Sequence, residues 1–159
     1  MAKVIMLCGK LCSGKSTYSA LLRDELGAVA LSVDELMIAL LGRETGEMHD
    51  EYVRRAKGYL FGKAAEIALA GTDVVLDQGF WSRAERRQAR EFFASRGVDY
   101  ELHFLRVSDE EWARRIDKRN SEVAAGRSDA YYVDEGLREK FISLFEEPDA
   151  DESDVTIEV

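Results

Sequence analysis

Apolar residues in this chain follow two rhythms, unbroken short runs and helical repeats, and the two alternate. Val4-Ile5-Met6-Leu7-Cys8 is a continuous apolar run stopped by Gly9, the pattern of a strand buried on both faces. Tyr18, Leu21, Leu22 and Leu26 then recur at helical spacing, and Gly27 ends that helix. Ala28 to Val33 reads as a second strand, closed by Asp34, and Leu36 to Leu41 as a short helix ending at Gly42. From His49 to Ala70 the positions Tyr52, Val53, Ala56, Tyr59, Leu60, Ala64 and Ile67 keep helical period, with Gly58 and Gly62 read as points of close packing. Asp73 to Asp77 predicts a third buried strand, Arg83 to Arg96 a helix with Ala89, Phe92 and Phe93 inward, and Tyr100 to Arg106 a fourth strand. Ser108 with Glu111 three residues on predicts a capping box, opening a helix that carries Trp112 and Ile116 on one face. Val133 to Phe145 is a last helix and Val155 to Val159 a fifth strand.

The resulting order is β-α-β-α-α-β-α-β-α-α-β. Unbroken apolar strands alternating with helices predict an α/β protein with a parallel sheet covered on both faces. Ligands of such sheets bind at the carboxyl ends of the strands. Gly9, Asp34 and Asp77 are all expected there.

One motif carries specific chemistry. Gly9-Lys10-Leu11-Cys12-Ser13-Gly14-Lys15-Ser16 fits G-x-x-x-x-G-K-[ST] without deviation, between a predicted strand and a predicted helix. The glycines let the loop curl so that successive N–H groups point at phosphate oxygens. The helix N-terminus adds partial positive charge. Lys15 is expected to reach the β- and γ-phosphates of ATP and the Ser16 hydroxyl to bind Mg2+, with Thr17 completing the phosphate-binding segment. Asp77 ends an apolar strand and is the second candidate magnesium ligand, with a solvated strand-end carboxylate as the lesser alternative. Gln78 follows it where water-activating ATPases often carry Glu, which favours a transferase over a hydrolase.

Asp34 is the candidate general base, positioned to deprotonate an acceptor hydroxyl. A plain helix cap is the alternative for the same residue. Arg115 and Arg119 lie one helical turn apart and are candidates for closing over the transferring phosphate, with a solvated basic face as the alternative; Arg114, Lys118 and Arg127 are their understudies, of which Arg114 and Lys118 read as that solvated face. Asn120 to Tyr132, with Gly126 and few large aliphatics, reads as a lid. The acceptor side is marked more weakly, by Arg43, His49, Arg54, Arg55, Lys57, Phe80, Trp81 and Arg83; the two aromatics suit either stacking on a planar acceptor or packing.

The chain's 159 residues are the size of one domain. The net charge of −9 is uneven: six acids lie between Glu146 and Asp154, and basic residues gather between Arg83 and Arg127. That distribution offers no patch for duplex nucleic acid. No run is long enough to cross a membrane. The N-terminal apolar run leads into the phosphate motif and not to a cleavage site, so the expected location is the cytoplasm. Cys8 and Cys12 are read as a buried strand residue and a small loop residue.

With these motifs in place the chain resembles the small P-loop kinases of the AAA_33 type, relatives of polynucleotide 5′-kinase domains, chloramphenicol phosphotransferase and zeta-toxin kinases. The likeness runs from Gly9–Ser16 through Asp34, the segment Asp77-Gln78-Gly79-Phe80, and Arg115 and Arg119, to Phe145-Glu146-Glu147-Pro148. It implies a three-layer P-loop NTPase fold with strand order 2-3-1-4-5, a single kinase domain over residues 1–159, and a lid at about 115–132. It also implies ATP and Mg2+ as cofactors and a small-molecule or nucleotide acceptor. Lys15, Ser16, Asp34, Arg115 and Arg119 inherit the family's roles. Polynucleotide kinases carry an Arg three residues after the base; here Met37 stands there. A 5′-hydroxyl polynucleotide kinase and a nucleotide-binding switch without transferase activity are the rival readings. Acceptor identity, ATP against GTP, and oligomeric state are not written in these motifs.

Overall fold

In the computed structural model, residues 1–42, 46–128, 130 and 132–159 are described. The elements are β1 (Lys3–Cys8), α1 (Lys15–Leu26), β2 (Val29–Ser32), α2 (Val33–Leu41), α3 (His49–Leu69), β3 (Val74–Gly79), α4 (Arg83–Ala94), β4 (Asp99–Arg106), α5 (Asp109–Ala124), α6 (Glu135–Leu144) and β5 (Val155–Glu158), with a 3-10 turn at Gly46–Met48 before α3. The five strands form one parallel sheet in the order 2-3-1-4-5, as the family resemblance implies.

β1 is the middle strand, which explains its unbroken apolar run. Val4, Met6 and Cys8 face a core built from α2, α3 and α4, including Met37, Leu60, Ala64, Ala89 and Phe93. Ile5 and Leu7 face the other way, onto Leu22 of α1. Each such side chain, fully buried, contributes about 1.5–3 kcal/mol. A smaller cluster of Val107, Trp112, Ile116 and Val133 joins α5 to the loop after β1 and to α6. Among the described residues no helix is long and apolar enough to cross a membrane.

Three local expectations are corrected. β2 ends at Ser32, not Val33, and Asp34 lies inside the first turn of α2. Ser32 is the cap: its Oγ accepts from the Glu35 amide at 3.2 Å. Gly58 and Gly62 do not mark close packing, because both are exposed and a Cβ on either would meet nothing within 4 Å. Ser108 does cap α5, but Glu111 spends its carboxylate on Arg114 and Arg115, so the reciprocal half of that box is missing. The complete capping box is at Ser82 and Glu85, opening α4.

Candidate active site

The site begins where β1 ends. Gly9 donates its amide to Gly79 O at 3.1 Å. Its carbonyl accepts from Trp81 Nε1 at 3.0 Å and from Lys15 Nζ at 2.9 Å. Lys15 Nζ also donates to Lys10 O at 2.8 Å, so the side chain arches along the loop. A Cβ at Gly9 would fall 2.5 Å from Ser13 Oγ and 3.3 Å from Leu105 O, so any larger residue would force Ser13 to move. Gly14 caps α1 in the left-handed region with φ 92° and offers no side-chain cap. The first amides of α1 therefore have no intrahelical acceptor, the arrangement that receives an anion.

α5 approaches the loop from the side. Trp112 Nε1 donates to Leu11 O at 2.8 Å. Arg115 Nη1 donates to Cys12 O at 3.2 Å, and Arg119 Nη1 lies 3.8 Å from Cys12 Sγ. Both arginines thus meet the phosphate loop at one residue, whose own φ is 60°. Glu111 holds Arg115 from behind at 2.8 Å. Hydrogen bonds from Arg114 and Arg115 keep that carboxyl ionised down to about 2. Arg114, Lys118 and Arg127 are exposed. Lys10 is engaged elsewhere, over the rings of Trp112 and Phe145 and 3.4 Å from Asp109.

Three charged groups are coupled at the strand ends. Burial lowers the Lys15 ammonium, against the pull of Asp77 and Asp34. Burial raises the Asp77 carboxyl; Lys15 opposes that shift and Asp34 adds to it. Asp34 is exposed, and because Ser32 caps α2 its carboxylate is not consumed as the cap. For magnesium, no cluster of three or more His, Cys, Asp or Glu exists among the described residues. Ser16 and Asp77 are two hard oxygen donors, a set that fits an ion held mostly by phosphates and water.

The acceptor-side candidates divide. Phe80 is wholly buried in the core and cannot stack on a ligand. Trp81 packs edge-on against Phe141 at 5.3 Å while its indole N–H holds Gly9. Arg54 and Arg55 are bound to Glu51, Lys57 to Glu85, and Arg83 to Asp149. His49 is exposed, and Arg43 lies outside the described residues. The base of the proposed lid is tied: Asn120 Nδ2 donates to Val133 O at 2.7 Å and Val133 N to Asn120 Oδ1 at 2.8 Å.

One support was not foreseen. Arg86, wholly buried, donates to Phe80 O at 2.9 Å and to both carboxylate oxygens of Glu152 at 3.2 and 3.3 Å. Phe80 itself is held at φ 51°. The turn that clamps Gly9 is thereby fixed by an ion pair with the acidic C-terminal segment. The sequence signal was a single Arg at an inward helical position beside Ala89 and Phe93.

A five-stranded parallel sheet ordered 2-3-1-4-5, with a glycine-rich phosphate loop after its central strand, defines a P-loop NTPase fold. Within it the chain belongs to the AAA_33 family, an AAA domain, which it matches over residues 4–148. Among solved structures it resembles the Mycobacterium tuberculosis APS kinase CysC, crystallised with AMPPNP and APS, at 22% identity and a TM-score of 0.70, covering 99% of this chain and 88% of that one. Chaetomium thermophilum Kti12, in complex with ADP-AlF3, matches at 18% and 0.71, covering 98% and 88%. A gluconokinase from Sinorhizobium meliloti matches at 16% and 0.64, covering 99% and 82%. At these identities the likeness is one of fold. No curated protein matches.

Proposed function

We propose that this protein is an ATP-dependent phosphotransferase that moves the γ-phosphate to a hydroxyl of a small-molecule or nucleotide acceptor. The observation that carries the reading is the position of Asp34: exposed, relieved of capping by Ser32, and close enough to act on the charge of both Lys15 and Asp77. In this reading residues 1–159 form one kinase domain with a lid at about 115–132, working in the cytoplasm.

The loop from Gly9 to Thr17 cradles the phosphates with its amides. Lys15 leaves the carbonyls of Gly9 and Lys10 for the β- and γ-oxygens. Ser16 and Asp77 would hold magnesium, which when bound neutralises charge on those phosphates. Asp34 takes the proton of the acceptor hydroxyl, whose oxygen forms a bond to the γ-phosphorus as the bond to the β-bridging oxygen breaks and ADP leaves. Arg115 and Arg119, already against Cys12, stabilise the charge that spreads over the transferring group.

The polynucleotide alternative is disfavoured by Met37, which is buried in the core where such enzymes place an Arg. The test is incubation with magnesium and γ-labelled ATP against 5′-hydroxyl oligonucleotides, nucleosides, sugars and hydroxylated antibiotics. Label on one acceptor class, lost in Lys15→Ala and Asp34→Asn, is the expected result. ATP binding without transfer, and slow hydrolysis indifferent to Asp34→Asn, would instead identify a nucleotide-binding switch.

A further inference from the structure

Gln78 has no part in the chemistry above. β1 and β3 pair in step from Val4 and Val74 to Leu7 and Asp77, but Cys8 then pairs with Gly79. Gln78 is the extra residue of a bulge at the carboxyl end of β3. Bulges there end pairing or re-aim a side chain beside a site. Both sequence neighbours belong to the site: Asp77 is coupled to Lys15, and the Gly79 carbonyl holds the Gly9 amide.

Both polar ends of the Gln78 carboxamide are closed from solvent, and neither hydrogen-bonds any described residue. Buried groups left so are rare and destabilising. A carboxamide offers two N–H donors and one carbonyl acceptor. Gln78 as a whole keeps part of its surface, and a change of its side-chain torsions would turn the carboxamide to a bound molecule.

The charges of the acceptor-side candidates among the described residues bear on the ligand. Arg54 and Arg55 are engaged by Glu51, and Lys57 by Glu85. Met37 adds no cation, and Asp34 and Asp77 contribute negative charge. Resting on the phosphotransferase reading, we infer that Gln78 determines acceptor specificity, and that the acceptor is an uncharged molecule presenting a hydrogen-bond donor and acceptor together, as vicinal hydroxyls or an amide edge do, beside the hydroxyl that receives phosphate.

Gln78→Met keeps the side-chain length and removes the polar ends. The thermal midpoint is expected to rise by about 2–4 °C, a measurement that needs no acceptor. Label transfer from γ-labelled ATP is then compared within matched pairs, glucose against gluconate and nucleosides against their 3′-phosphates. The wild type should label the neutral member, and Gln78→Met should raise its KM about tenfold, the loss of one or two hydrogen bonds, with KM for ATP unchanged. A lower midpoint, preference for the anionic member, or an unchanged acceptor KM overturns the inference alone. ATP binding with no label on any acceptor overturns the phosphotransferase reading, and the inference with it.

Discussion

Asp34 shows how much one cap residue decides. Had Asp34 capped α2, its carboxylate would have been tied to a backbone amide; Ser32 takes that bond instead. Asp34→Asn is expected to lower turnover by about 10²–10⁴-fold while leaving the ATP dissociation constant in place, measured by label transfer and by calorimetry. Gly9→Ala should do the reverse of a clean catalytic lesion and weaken nucleotide binding, because its Cβ has only 2.5 Å to Ser13 Oγ and must displace it within the loop; titration of the variant with ATP checks this. Both residues stand out in the sequence, one through the motif and one through its place after an apolar run. What the sequence hides is the one-residue shift that puts Asp34 inside the helix. Ser32, Val33 and Asp34 offer two caps in three residues, and only tertiary packing of Val33 into the core selects between them.

Among the elements, the strands and their order of burial are legible because a two-sided strand needs an unbroken run, and β1 supplies the clearest one. The turn after β3 is not legible. Trp81 looks like a ligand platform and is a clamp; Arg86 looks like one of many surface arginines on α4 and is the most buried charge among the described residues. Arg86→Met leaves Glu152 to Arg90 and the Asp149 amide and takes the donor from Phe80 O, and is expected to destabilise by about 1–3 kcal/mol, whereas Arg86→Met with Glu152→Leu should regain part of it, read from urea unfolding. The same pair gives a pH signature. Burial pushes the Glu152 carboxyl up, but the Arg86 hydrogen bonds, the Asp149 amide and the charges of Arg86 and Arg83 outweigh it, so the net shift is below the ordinary 4.5. A folded value below the unfolded one means the stabilisation is complete above pH 4.5 and lost as pH falls through the folded value. The thermal midpoint should drop through that acid range, and less steeply in Glu152→Gln.

For the whole molecule, the sheet brings together residues from every third of the chain, and α5 reaches the phosphate loop while Asn120, near its far end, is tied to Val133 just ahead of α6. Asn120→Ala leaves the buried N–H and C=O of Val133 without partners, a loss of about 1–3 kcal/mol. Amides of 121–128 should then exchange hydrogen faster, while Arg115, about one and a half turns earlier in α5, keeps its contact with Cys12. The clamp on Gly9 has a further consequence in the order of synthesis. Gly9 leaves the ribosome well before Glu152, 143 positions later, whose ion pair with Arg86 holds the turn beside Gly9. At about 5–20 residues per second that interval is roughly 7–30 s. Throughout it the nascent chain carries the complete glycine-rich motif without the Arg86–Glu152 pair that fixes the neighbouring turn.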